Sequence, residues 1–172
     1  AKRSVIVKKI CSIVSKNPNN LNITLKSGWL EKKSDRGMSW SSRFLVMSCK
    51  DLKYYYSEDD YKENTDFALG VISLKHIFNI FQLNDTETKK DFAFMIYTGS
   101  WQKKNKEMGI REFYFAGRNF EETETWITYI EFIRAKAIYD DFVYSFGKIS
   151  FPLNNNLEKL EGFENVNKEV YF

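Results

Sequence analysis

Two cysteines, one histidine and no long apolar run set the first limits on this 172-residue chain. Cys11 and Cys49 lie far apart, form no C-x-x-C and are remote from His76. A Cys/His zinc site would need carboxylates to complete it, so no metal and no cofactor is expected. Two thiols do not make a disulfide framework, which favours a reducing, cytosolic compartment. The longest apolar stretch spans only a few residues, too short for a membrane-spanning helix or a signal-peptide core. There is no Ser-His-Asp set, glycine-rich phosphate loop, His-Glu-x-x-His or calcium loop, and the expectation is a non-enzymatic protein. Nucleic-acid binding would need a stronger basic stripe than the near-neutral centre of the chain provides. The first residue is Ala1 rather than Met, as in a fragment of a longer protein, from which any N-terminal targeting or lipidation signal would be missing.

What is present is ordinary globular material with an aromatic excess. Hydrophobic residues make up 43% and charged residues 28%, enough for one buried core. Aromatics reach 17%, and lysine, asparagine and isoleucine are plentiful, a bias that an AT-rich genome would also produce. Net charge is +3 but uneven. Residues 1–20 carry Lys2, Arg3, Lys8, Lys9 and Lys16 with no acid, whereas residues 138–172 are net acidic. A basic arm ahead of a near-neutral domain suits an anionic surface; a solvated arm without a partner is the other reading. Ile6, Ile10, Ile13 and Val14 form a helical stripe in that arm. The helix could lie on an anionic membrane or dock on its own domain, and docking is favoured. Asn17-Pro18-Asn19-Asn20 then marks a linker.

Seven strand candidates follow: 26–33, 43–48, 52–56, 70–74, 77–83, 92–97 and 112–116. Their roughly ten-residue spacing with polar breaks predicts an antiparallel sandwich or barrel. The period then changes. Asn119 with Glu122 makes an N-cap signature, and Trp126, Tyr129, Ile130, Ile133 and Ala137 share one helical face. A lone amphipathic helix after seven strands must cover an opening of the sheet.

The segments Lys-Ser-Gly28-Trp29-Leu30-Glu31-Lys32-Lys33, Trp40-Ser-Ser-Arg43-Phe44-Leu45-Val46, Leu52-Lys53-Tyr54-Tyr55, Gly70-Val-Ile-Ser-Leu74 and the helix Trp126 occur in that order. Together they resemble a pleckstrin-homology (PH) domain over residues 24–138, between a basic arm (1–20) and an aromatic, acidic extension (139–172). The Asn/Lys-rich composition and the arm are similar to the acylated branch of that family in apicomplexan parasites. The resemblance implies a mainly β fold: a seven-stranded, bent antiparallel sandwich capped at one end by the C-terminal helix, with Trp126 as a core plug. It also implies an open end where members of the family bind lipid headgroups through basic residues of the first two strands. Lys32 and Arg43 match that pattern; Ser41 stands where a second cation is usual; Lys53 falls at a frequent third-strand contact.

Phosphate monoesters carry up to two charges and call for several charge-assisted donors. The candidate headgroup residues are Lys32, Lys33, Arg36, Ser41, Ser42, Arg43 and Lys53, with Lys32 and Arg43 expected to face solvent. Met38 and Trp40 in the first loop and Trp101 in the last are candidates for insertion into a membrane interface. Lys103, Lys104 and Lys106 would add electrostatic attraction. Local packing of Trp40 and plain solvation of the lysines are the competing readings. The acidic third loop (Glu58, Asp59, Asp60, Glu63, Asp66) would repel a multiply phosphorylated inositol if it leaned over the site. The expectation is therefore a monomeric module on the cytosolic face of a membrane, reading phosphatidic acid or a phosphoinositide. The alternative is a protein-interaction module of the same fold, with the extensions as partner segments; packing of the aromatic tail on the domain is the favoured account of the tail itself.

Overall fold

The computed structural model describes residues 3–17, 19–35, 37, 39–102 and 107–146. Its elements are α1 (Arg3–Lys16), β1 (Lys26–Lys33), β2 (Trp40–Met47), β3 (Asp51–Tyr55), α2 (Glu58–Glu63), β4 (Gly70–Ser73), β5 (Ile77–Gln82), α3 (Asp85–Thr88), β6 (Ala93–Gln102), β7 (Glu107–Ala116) and α4 (Phe120–Phe146). Short 3-10 turns at Thr65–Phe67 and Leu74–His76 flank β4. The chain divides into two compact units, Ala1–Tyr139 and Asp140–Phe172, and of the second the described part is the end of α4. Most of the aromatic tail therefore lies outside the described residues.

The seven strands form one antiparallel sheet in the order β4-β3-β2-β1-β7-β6-β5. β1 runs along the whole of β2 but meets β7 at only two pairs, Glu31 with Ala116 and Lys32 with Phe115. The β6–β7 hairpin is paired from Ala93–Ala116 to Gln102–Glu107. At about 3.3 Å per residue it reaches roughly 20 Å past the end of β1.

Alternation decides which side chains meet. Leu30, Leu45, Leu52, Ile72, Ile96, Phe113 and Phe115 take the inner face and build one core. Trp126, Tyr129, Ile130 and Ile133 of α4 are buried in it. Ile6 and Ile10 of α1 are buried in the same core, with Ile13 and Val14 against it. The basic arm is thus a packed helix, and Arg3 pairs with Glu131 of α4.

Gly28 lies on the inner face of β1 beneath the Trp126 ring with φ +157°, backbone that L side chains rarely adopt. Lys26 sits 4.5 Å from the centre of the same indole; burial pushes its ammonium below the ordinary lysine range, partly countered by Glu122 and reinforced by Lys9.

α4 starts as its sequence suggests. The Asn119 side chain accepts from the Glu122 amide at 2.9 Å, and the Glu122 carboxylate accepts from the Arg118 amide at 2.8 Å. Farther along, Arg134 donates from Nε to the Ile77 carbonyl at 2.6 Å and from Nη2 to the Phe78 carbonyl at 2.7 Å. Those carbonyls sit where the β5–β6 register shifts between Ile77 and Asn79. No described helix is long and apolar enough to cross a membrane.

Candidate anion site

β1 starts beneath α4, so its far end, the loop after Lys33 and the β6–β7 hairpin all lie away from the helix. At this rim the inner-face register brings together Lys32 and Ser41, Arg43, Tyr54 and Arg111. Lys32 is not solvent-facing as expected: its side chain is only 8% exposed. Its ammonium donates to Asp35 Oδ1 at 2.8 Å and to the Lys33 carbonyl at 3.0 Å. The rings of Tyr54 and Phe113 lie 5.2 and 5.7 Å away. A buried ammonium must be paired, and Asp35 supplies the pairing.

Asp35 also accepts from Arg111 Nη2 through its other oxygen, Oδ2, at 2.5 Å. Partial burial alone would raise the Asp35 carboxyl, but Lys32 and then Arg111 outweigh it and hold the group below the usual carboxylate range. Arg111 stacks over Phe113 at 4.4 Å, and Arg43 over Tyr56 at 4.9 Å while donating to the Ser42 carbonyl. Burial pushes the Tyr54 hydroxyl up, with Arg111 and Arg43 opposing and Asp35 reinforcing the rise, so all three charges act on this ring.

Register separates the other candidates. Lys33 and Trp40 are paired, as are Glu31 and Ser42, and both pairs belong to the outer face. Lys33 lies 4.8 Å from the Tyr114 ring. It lines an open groove of about 550 Å³ with Ser34, Gly37, Tyr97 and Tyr114, and Asp35 and Arg111 line the same groove. Ser42 belongs to a different hollow, beside Trp29 and Arg118.

Lys53 pairs with Val46 and Val71 and so projects from the outer face. It lines a separate recess of about 260 Å³ with Asp51, Tyr61 and Asp66, and the structure does not bring it to Arg43. Trp40 is half-buried. Arg36, Met38, Lys103, Lys104 and Lys106 lie outside the described residues. Trp101 is placed by its backbone alone, opposite Met108 in the hairpin.

The acidic third loop turns away from this rim. Glu58, Asp59, Asp60 and Glu63 lie in α2, capped by Ser57, whose hydroxyl accepts from the Asp60 amide at 3.1 Å, and Asp66 lies in the 3-10 turn that follows. Tyr61 then packs on Tyr55 (5.4 Å) and Phe44 (6.1 Å), both on the outer face. Burial, with Tyr61, Asp51 and Asp66 adding to it, raises the Tyr55 hydroxyl to about 12. Arg111 and Asp35 are the site residues that sequence reading missed. Alternation with Phe113 and Phe115 assigns Arg111 to the inner face, but nothing local announces the Asp35 bridge.

The family model for the PH domain matches residues 24–134. The chain belongs to the PH-domain family. A PH domain is a binding module rather than a catalytic one, in keeping with a rim of cations and rings. Among curated proteins, the chain is similar to human Rho GTPase-activating protein 25, 29% identical over 116 residues, which is 67% of this chain and 17% of that protein. It is also similar to the ankyrin repeat, PH and SEC7 domain containing protein secG of Dictyostelium discoideum, 22% identical over 158 residues, 80% of this chain and 15% of that one. The chain thus spans less than a fifth of the length of these relatives.

Solved PH domains share the fold. The PH domain of human KIAA0053 protein has a TM-score of 0.51 at 24% identity, covering 68% of this chain and 92% of that one. The Slm1 PH domain in complex with phosphoserine has a TM-score of 0.50 at 17% identity, covering 65% and 96%.

Proposed function

We propose that this PH domain binds the phosphorylated headgroup of an anionic lipid, phosphatidic acid or a phosphoinositide, at the rim of β1, β2 and β7, and so recruits its protein to a cytosol-facing membrane. One observation carries the reading: Lys32, Arg43 and Arg111, from three different strands, surround one tyrosine at the end of the sheet away from α4. Convergent cations on rigid strands are what a phosphate monoester requires. The turning of α2 onto the outer face removes the nearest acidic loop from that rim. The phosphoserine bound to the Slm1 PH domain is a ligand of the same phosphate-monoester chemistry.

The test is co-sedimentation with phosphatidylcholine vesicles doped with one anionic lipid at a time. Changing Arg43 and Arg111 together to Ala should weaken binding by roughly 2–4 kcal/mol, since each charge-assisted bond contributes about 1.5–3. Lys53→Ala should leave the affinity unchanged. Wild-type affinity in a folded double variant removes the site. Absence of binding to every lipid at low salt supports the protein-interaction reading instead.

A further inference from the structure

We propose that Asp35 is a built-in occupant of the anion site, and that a headgroup phosphate binds by displacing its carboxylate from Lys32 and Arg111. The inference rests on the reading of the rim as a headgroup site and adds how that site is guarded.

The geometry is that of a small anion already bound. Two oxygens of one group are divided between two cations from strands far apart in sequence, Oδ1 on Lys32 and Oδ2 on Arg111. Two oxygens of a phosphate can make the same pair of contacts. Around the Lys32 ammonium, the Tyr54 and Phe113 rings and the Lys33 carbonyl fill the inward directions. Among the described residues the remaining contact is Asp35, whose side chain is 47% exposed. A ligand phosphate reaching this ammonium from solvent must therefore take the place of that carboxylate.

Asp35 is also built to leave. It belongs to the turn after β1 rather than to a strand, in a loop closed by the Ser34 amide donating to the Ser39 carbonyl at 2.8 Å. Among the described residues its carboxylate bonds go to the two cations and cap no backbone amide.

The exchange sets a threshold. With Asp35 in place, Lys32 and Arg111 together present one net positive charge; with Asp35 withdrawn they present two, and Arg43 adds a third. A dianionic phosphate monoester gains more from that pair than a carboxylate does. A monoanionic phosphodiester, as in phosphatidylserine, does not. The internal carboxylate lowers the affinity of every anion that must displace it by the same factor, so the dianionic monoester, with the larger gain from the freed cations, is the ligand that still attaches.

The test compares the whole protein with its Asp35→Asn variant, which keeps the size of the side chain. Phosphatidylcholine vesicles carry either phosphatidic acid or phosphatidylserine at matched surface charge. The variant should bind phosphatidic acid roughly five- to twentyfold more tightly, the effect of removing one competing charge-assisted partner. Any attachment to phosphatidylserine through the same cations should tighten by a similar factor. Unchanged or weaker binding by a folded variant overturns the proposal while the headgroup reading stands if the wild type binds. If neither protein binds any vesicle, both fail.

A second measurement needs no substitution. The carbon-13 resonance of the Asp35 carboxylate is followed at neutral pH, where glycerol 3-phosphate is dianionic, as that ligand is added. Displacement predicts that the resonance moves to the position of a solvated carboxylate as the site saturates. A resonance that stays where it was at saturation means that Asp35 remains on its cations, and the proposal is wrong.

Discussion

Tyr54 carries the rim, and the residue paired with it in β4 is Gly70. A Cβ at that position would fall inside the van der Waals envelope of the Tyr54 hydroxyl and ring. The ring has little room to retreat, because it is buried edge-on against Phe113 and Phe115. Gly70→Ala should destabilise the fold by about 1–3 kcal/mol, the usual cost of overpacking. It should also weaken phosphate binding, since the displaced ring lies over Lys32. Urea denaturation and titration with glycerol 3-phosphate would show both effects; full stability would mean that the tyrosine swings freely.

The matches at Lys32 and Arg43 were readable because both lie in short motifs with inner-face neighbours, Leu30 and Leu45. Strand parity also contains the distinction the motifs do not draw, between Lys32 and Lys33 or Ser41 and Ser42. Lys53 was misplaced for the same reason, since its partner Val46 belongs to the outer face. The burial of Lys32 was not readable, because Asp35 becomes its counter-ion only through the shape of a turn.

Among the elements, α4 was the most legible, since its cap and its apolar stripe are both local patterns. Glu122 gives its first turn a pH dependence. Partial burial would raise its carboxyl, but hydrogen bonds and charge from Arg118, with Lys26 behind them, bring it below the usual range. The unfolded state therefore binds the proton more tightly than the folded state. The stabilisation is fully present above the ordinary glutamate pKa and is lost as pH falls through the depressed folded value. Urea midpoints measured from neutral pH downward should fall in that acid window, and Glu122→Gln should make the fall shallower. An unchanged slope would assign the acid sensitivity to other carboxylates.

α2 was missed although Ser57 and Asp60 form a local capping pair, because five acids in a short stretch read as a solvated loop. α1 was legible as a stripe, but its burial depends on a gap in the core that only the folded sheet defines.

At the scale of the molecule, the sheet stays open among the described residues: β4 and β5 each have one neighbouring strand there. The unpaired margin of a sheet is a template on which a second chain can add. Arg134 of α4 holds the Ile77 and Phe78 carbonyls in its guanidinium fork at the start of β5, one of the two marginal strands. Phe78 is exposed there, an apolar side chain beside backbone acceptors. Arg134→Met keeps the apolar stem of the side chain and frees those acceptors. Light scattering at rising concentration should then show more self-association than the wild-type protein gives, with retained helical content excluding simple unfolding. Equal scattering would mean that other parts of the chain block the margin. If the association appears, one arginine on the closing helix keeps an incomplete barrel from polymerising through its own seam.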